Sequence, residues 1–239
     1  MSDSSLLMPK ADDAYRSSRE RLRAAEIDLR DRIEAVAAMR RSLPPGPLVP
    51  DYTFVENGNR VRLSELFEDG KPYLIVYHLM YWAKDDDFCP MCSMWLDGFN
   101  GVVPHVTQRA NFVIASRAPF ETLKAWGERR EWDRLRLLSD DGPSFARDID
   151  AEDAEGNPDS TVSVFSKDGD VLRHVYTAHP MLEDRERGID LLCPVWHLFD
   201  LIPSGRGDWY PSNAAFDSSL REALENVASE GGTYRCSGV

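Results

Sequence analysis

A chain of 239 residues with 42% hydrophobic and 29% charged residues is long enough for one well-packed domain with additions, and has the balance of a globular protein. Its 41 acidic against 28 basic residues leave a formal charge of -13, which repels polyanions, so neither nucleic acid nor an anionic bilayer is an expected partner. The longest apolar stretches, around residues 73–80 and 191–202, fall short of the roughly 20 residues that span a bilayer, and residues 1–10 lack the basic start, apolar middle and cleavage site of an export signal. A cytoplasmic location is the expectation.

Residues 1–11 read as a leader. From Asp12 to Ser42 the chain is charged and helix-favouring, with Tyr15, Leu22, Ala25, Leu29, Ile33, Val36 and Ala37 recurring at helical spacing. This predicts one long amphipathic helix, suited to packing on the domain or to a homodimer contact. Leu43-Pro44-Pro45-Gly46-Pro47 ends it as a rigid linker, so residues 1–47 form an N-terminal extension. Residues 52–55 and 61–63 flank Asn57-Gly58-Asn59 and predict a hairpin. The apolar run at 72–80 predicts a buried central strand. A polar loop, Lys84-Asp85-Asp86-Asp87, then leads into Cys89-Pro90-Met91-Cys92 and a helix reaching about Phe99. Beyond it come a strand at 111–116, a helix at 119–129 and an extended piece at 135–139. Residues 140–159, rich in Asp, Glu, Gly and Pro, read as a surface excursion. Strands at 161–166 and 171–176 are joined by Lys167-Asp168-Gly169-Asp170, and helices are expected at 185–199 and 216–229. Helices alternating with strands before a closing hairpin imply an α/β fold with a mixed central sheet over residues 48–212, followed by a C-terminal helix and tail over 213–239.

Four cysteines are present, Cys89, Cys92, Cys193 and Cys236. In a reducing compartment a close pair points to redox or metal chemistry rather than a structural bridge. With Cys89 at a helix N-cap and Pro90 at the first helical position, the helix's free N–H groups and dipole would favour a thiolate at Cys89. Cys92, one turn on, would serve as the resolving thiol. Asp85, Asp86 and Asp87 act in the opposite sense if they approach Cys89. A zinc site is the alternative for the pair, with Cys193 and His197 at helical i,i+4 spacing as further ligands, although the apolar surroundings of Cys193 suit a core cysteine. An inert pair on a binding fold is another. His78, on the strand leading into the motif, is a candidate proton-transfer group or a core histidine. Tyr77, Tyr81, Trp82 and Trp95 would limit water at the thiols, and packing alone also explains them. Cys236 reads as an exposed thiol without a role.

Cys89-Pro90-Met91-Cys92 between a strand and a helix resembles the active-site segment of thioredoxin-fold proteins. In that fold a residue opposite the dithiol, commonly a cis-proline, precedes the closing hairpin; counting back from Gly169 through Phe165 places Thr161 there, as in many peroxiredoxins. The peroxiredoxin signature itself is absent, with Trp82 and Asp86 standing at its proline and threonine positions. The chain is more closely similar to an uncharacterised bacterial thioredoxin-like family with a domain of unknown function. The similarity runs through Arg40-Arg41-Ser42-Leu43-Pro44, Asp51-Tyr52-x-Phe54, Leu63-Ser64-Glu65-Leu66-Phe67, Leu74-Ile75-Val76-Tyr77-His78, Cys89-Pro90-x-Cys92-Ser93, Ser116-Arg117-Ala118-Pro119, Ser163-Val164-Phe165 and Gly205-Arg206. It covers about residues 12–212, and it draws attention to His78 and Arg117. The reading is therefore a thioredoxin-like fold and a thiol–disulfide oxidoreductase in which Cys89 attacks and Cys92 resolves. Pro90, His78, Trp82, Arg117 and Thr161 support the pair, and neither cofactor nor metal is required. Its partners would be a disulfide-containing or peroxide substrate and a thiol reductant. A thiol peroxidase and a non-catalytic binding or metal-binding module are the alternatives.

Overall fold

The computed structural model describes residues 10–142, 144–179, 192–205, 207 and 209–213. The chain divides into two compact units, Met1–Pro45 and Gly46–Val239. The first holds helix α1 (Asp13–Arg41), 29 residues long. Asp12 caps it by accepting the Tyr15 N–H, at 2.8 Å, and Arg40 and Arg41 lie in its last turn, where cations suit the helix dipole. None of its residues is buried.

In the second unit the expected hairpin is strands β1 (Thr53–Glu56) and β2 (Asn59–Arg62), turned at Asn57 and Gly58, both with positive φ as a tight hairpin turn requires. A short 3₁₀ turn at Leu63–Leu66 leads to β3 (Tyr73–Leu79). A small hairpin follows, β4 (Tyr81–Trp82) with β5 (Asp87–Phe88), and then helix α2 (Pro90–Val106). After these come β6 (Asn111–Ser116), α3 (Phe120–Arg129), β7 (Leu137–Ser139), α4 (Phe145–Asp148), β8 (Thr161–Asp168), β9 (Val171–Ala178) and α5 (Pro194–Phe199).

Seven strands form one sheet in the order β2-β1-β7-β6-β3-β8-β9. β3, β6 and β7 run parallel, while β8 pairs antiparallel with β3 and β9 antiparallel with β8. The stretch β6-β3-β8-β9, with α2 crossing from β3 to β6, is the thioredoxin-like arrangement expected from the sequence. Side chains alternate across β3, so the sheet has two apolar faces. Tyr77 and Leu79 join Ile114, Trp95, Leu96, Phe99, Leu123 and both motif cysteines in the core beneath α2 and α3. Leu74 and Val76 join Phe54, Leu63, Val113, Leu138, Phe145 and Phe165 in the core on the other face.

Five expectations need correction. The polar loop 84–87 belongs to the β4–β5 hairpin: residues 84–86 lie at its tip, turned at Asp86 with φ 51, and Asp87 opens β5 opposite Trp82. Helix α2 runs past Phe99 to Val106, through Gly98, Gly101 and Pro104, because its buried face continues to Val103 and packing outweighs weak propensity. β8 and β9 each extend two residues beyond the predicted ends. Residues 140–159 are not a surface excursion: Phe145, Ala146, Ile149 and Ala151 are buried in the second core, and Asp140 is buried with them. Of the helix expected at 185–199, Pro194–Phe199 is helical and residues 192–193 are not, since Cys193 is an extended N-cap and Pro194 opens the helix; residues 185–191 lie outside the described residues, as do the predicted helix at 216–229 and Cys236.

Phe145 packs edge-on to both Tyr52 and Phe54 at centroid distances of 5.0 and 4.8 Å. Phe145→Ala should therefore cost about 3–5 kcal/mol, the range for emptying a buried aromatic site. Urea unfolding measures this, and a cost near zero would return the segment to the surface.

Candidate active site

Cys89 is fixed from three directions. Its N–H donates to the Met80 carbonyl across the base of the β4–β5 hairpin, at 3.3 Å, and its carbonyl accepts the Ser93 N–H, at 2.9 Å, opening α2. Its Sγ accepts the Cys92 N–H at 3.4 Å. Cys89 is thus the N-cap of the 17-residue helix α2, and Pro90 stands at its first position, where a missing N–H costs nothing and the fixed φ suits the helix.

The neighbouring packing holds this helix start in place. Phe88 stacks on Trp126, whose indole N–H donates to the Ser93 hydroxyl at 3.1 Å. Further along α2, Asp97 accepts from Arg130 and from the Trp132 indole. Asn213 donates to the Phe88 carbonyl at 2.7 Å, one residue before the motif.

Both thiols are buried, Cys89 at 5% and Cys92 at 2% exposure, and they are not joined in a disulfide. They face one another with a hydrogen bond between the sulfurs, and this pushes the Cys89 thiol well up, with burial adding to it. Burial also pushes Cys92 up, but hydrogen bonds from Cys89, the Tyr77 hydroxyl, the Met80 backbone and the Ser160 hydroxyl outweigh it and bring Cys92 down. A coupled dithiol titrates as a pair: its first proton leaves easily because the second thiol stays to bind the charge, and its second proton is held.

The acidic residues before the motif do not act on it. Asp85, Asp86 and Asp87 are exposed, the Asp86 carboxylate accepts from the Tyr81 hydroxyl at 2.6 Å, and Asp87 accepts the Phe88 N–H at 2.8 Å. Tyr81, held by Asp86, is pushed up to about 12. Trp82 is half-buried against the same apolar cluster as the thiols.

His78, Thr161 and Arg117 come together, but not with the thiols. His78 follows Tyr77 on β3 and so points to the opposite face of the sheet, where its directly paired residue on β8 is Thr161. Its Nε2 lies 4.0 Å from Asp140, which also lies 4.0 Å from Arg117. Arg117 binds Glu152 at 2.9 Å, and Glu152 also accepts from Arg147. Among the described residues neither His78 ring nitrogen, nor Asp140 Oδ1, nor Thr161 Oγ1 meets a hydrogen-bond partner. Burial brings His78 down to about 4, and burial raises Asp140 to about 6 against the pull of Arg117. Both are uncharged between those values. His78 is thus a core histidine in a second polar cluster, one of the two readings open at the sequence level.

The sequence reading missed Tyr77 as a partner of the thiols, although strict alternation along the 72–80 run separates Tyr77 from His78. Thr161, the residue that the sequence places opposite the dithiol, pairs with His78 instead, and the hydroxyl that hydrogen-bonds to Cys92 belongs to Ser160, the residue before β8. For the zinc alternative, no group of three or more His, Cys, Asp or Glu side chains among the described residues is placed to hold a metal ion. Cys193 is instead fully buried in the core that holds the motif cysteines, at the N-cap of α5. No helix among the described residues is long and apolar enough to cross a membrane.

A dithiol at the start of the helix that crosses between adjacent parallel strands, with a closing antiparallel hairpin beside it, defines a protein of the thioredoxin-like class. The chain belongs to DUF899, a family of bacterial proteins of unknown function, whose profile matches residues 8–221. No curated protein matches it. Among solved structures it is similar to a cysteine mutant of peroxiredoxin Q from Xanthomonas campestris, with 15% identity and TM-score 0.46 over 57% of this chain and 88% of that one. It is similar also to the peroxidoxin BcpB from Mycobacterium tuberculosis, with 20% identity and TM-score 0.46 over 57% and 86%. A cysteine mutant of PrxQ from Xylella fastidiosa gives 12% identity and TM-score 0.45 over 80% and 98%.

The buried His78–Asp140 pair carries a pH signature. His78 has its folded-state value below the ordinary 6.5, so its contribution is complete above 6.5 and is lost as pH falls toward 4. Asp140 is raised above 3.8, so its contribution is complete below 3.8 and is lost as pH rises through 6. The two oppose each other between pH 4 and 6. Asp140→Asn leaves His78 alone, and the variant's unfolding free energy should climb by about 2 kcal/mol across that window, more steeply than the unsubstituted chain's. Urea unfolding at a series of pH values measures both; parallel profiles would contradict the assignment.

Proposed function

We propose that the chain is a thiol–disulfide oxidoreductase working through Cys89 and Cys92. The observation that carries this is the pair of buried, unbridged thiols in the first turn of α2, Cys89 at its N-cap accepting the Cys92 N–H at its Sγ at 3.4 Å. Cys89 is the outer sulfur and Cys92 the inner one. In the reductive direction the proton on Cys89 passes to Cys92 as the Cys89 sulfur attacks one sulfur of the substrate disulfide. That S–S bond breaks, its second sulfur leaves as a thiol after taking up a proton, and a mixed disulfide joins Cys89 to the substrate. Cys92 then attacks Cys89, releasing the second substrate thiol and leaving a Cys89–Cys92 disulfide. The substrate gains two electrons and the dithiol loses two, and an external thiol reductant returns the protein to its starting state.

Cys89→Ser should abolish reduction of a model protein disulfide such as insulin's, while Cys92→Ser should accumulate the mixed disulfide at Cys89, seen by mass spectrometry. Unchanged reduction by Cys89→Ser would end the proposal. Consumption of hydroperoxide with Cys89 passing through a sulfenic acid, in the absence of disulfide reduction, would instead place the chain among thiol peroxidases. Tyr77→Phe removes one hydrogen bond to Cys92 without opening a large cavity, and alkylation of the reduced pair below its first ionisation should slow roughly tenfold, reflecting a smaller thiolate fraction. An unchanged alkylation profile would remove Tyr77 from the site.

A further inference from the structure

Helix α1 presents an apolar stripe that the described residues of its own unit do not bury. Tyr15, Leu22, Leu29, Ile33 and Val36 are all exposed, Leu29 at 60%. A helix of this length draws most of its stability from covering such a stripe. At about 100° per residue, Leu22, Ala25, Leu29, Ile33 and Val36 fall on one line along the helix. Glu26 and Arg30 run along one margin of that line, and Asp28 and Arg32 along the other. Each margin therefore carries an acid followed, one turn later, by a base, with Leu29 between them.

This order is self-complementary in one orientation only. Two copies laid antiparallel about a two-fold axis at Leu29 bring Leu29 against its own copy, Leu22 against Val36, and Ala25 against Ile33, small against large. Along the margins Glu26 then faces Arg30 of the other copy and Asp28 faces Arg32. Laid parallel and in register, the margins instead place Glu26 near Asp28 and Arg30 near Arg32 of the other copy, like against like. Closed two-fold contacts require this kind of self-matching, with residue i meeting j and j meeting i.

We propose that α1 is a homodimerisation element that pairs antiparallel with α1 of a second copy about Leu29. The proposal stands apart from the redox reading, since it uses no residue of the dithiol site.

The full chain should give the mass of a dimer by light scattering. Leu29→Lys places two like charges on the axis and should yield a monomer whose circular dichroism and disulfide-reducing activity match those of the parent chain. Orientation is read by introduced cysteines under mild oxidation, with cross-linked peptides mapped by mass spectrometry. Leu29→Cys should cross-link to itself, Leu22→Cys and Val36→Cys should not cross-link to themselves, and a mixture of those two should cross-link to each other. A monomeric parent chain, or a dimer that Leu29→Lys leaves intact, would overturn the proposal. Efficient self-cross-linking of Leu22→Cys would overturn the antiparallel pairing.

Discussion

Two thiols buried side by side cannot both carry a charge, and the arrangement around Cys89 and Cys92 follows from that constraint. Water is largely excluded from both sulfurs, so any charge must be held by hydrogen bonds from the protein itself. The other thiol supplies one, Tyr77 from β3 and Ser160 from the approach to β8 supply two more, and the Met80 backbone adds another. Each donor comes from a different part of the chain, and only the pairing of β3 with β8 and the closure of the hairpin on Cys89 bring them to one place. The N-cap position of Cys89 then sets the order of the two sulfurs, one outward and one inward.

The same strand lines two polar clusters, one on each face of the sheet. On one face of β3 the hydroxyl of Tyr77 hydrogen-bonds to Cys92. On the other, His78 and Asp140 are taken out of water with few partners and become neutral near pH 5, while Arg117, Glu152 and Arg147 form a charged chain beside them. A run of alternating side chains thus places the dithiol and the His78–Asp140 cluster back to back, on opposite faces of the sheet. The apolar residues of both cores, from Trp95 and Phe99 to Phe54 and Phe145, keep water from joining them.

Much of the fold is legible in the sequence because its central elements carry strong local signals. The 72–80 run, the Asn57-Gly58 turn, the strand at 111–116 and the Cys-Pro-Met-Cys helix start all lie where propensity, turn chemistry and packing agree. The segment 140–159 is misread because its core residues, Phe145, Ile149 and Ala151, are scattered singly among Asp and Glu and give no periodic pattern, and only the tertiary structure shows them turned inward. The site is legible at Cys89, Pro90 and Cys92, whose relations are local. It is less so at Ser160 and Asp140, which reach their sites through strand pairing and chain reversal. Tyr77 lies between these cases: period-2 alternation separates it from His78, but its partnership with Cys92 depends on how α2 lies over the sheet. The polar run 84–87 shows the limit of counting charges, since its carboxylates are turned to solvent or to local N–H and O–H donors.

The central claim is that the two buried sulfurs act as one redox unit. The most direct measurement is equilibration of the purified chain in glutathione buffers of graded potential, with mass-spectrometric mapping of the peptide that carries Cys89 and Cys92. The redox proposal predicts one two-electron transition between dithiol and intramolecular disulfide, with both sulfurs changing together. A pair that stays reduced across the whole series, or that takes up glutathione at each sulfur independently, would contradict it.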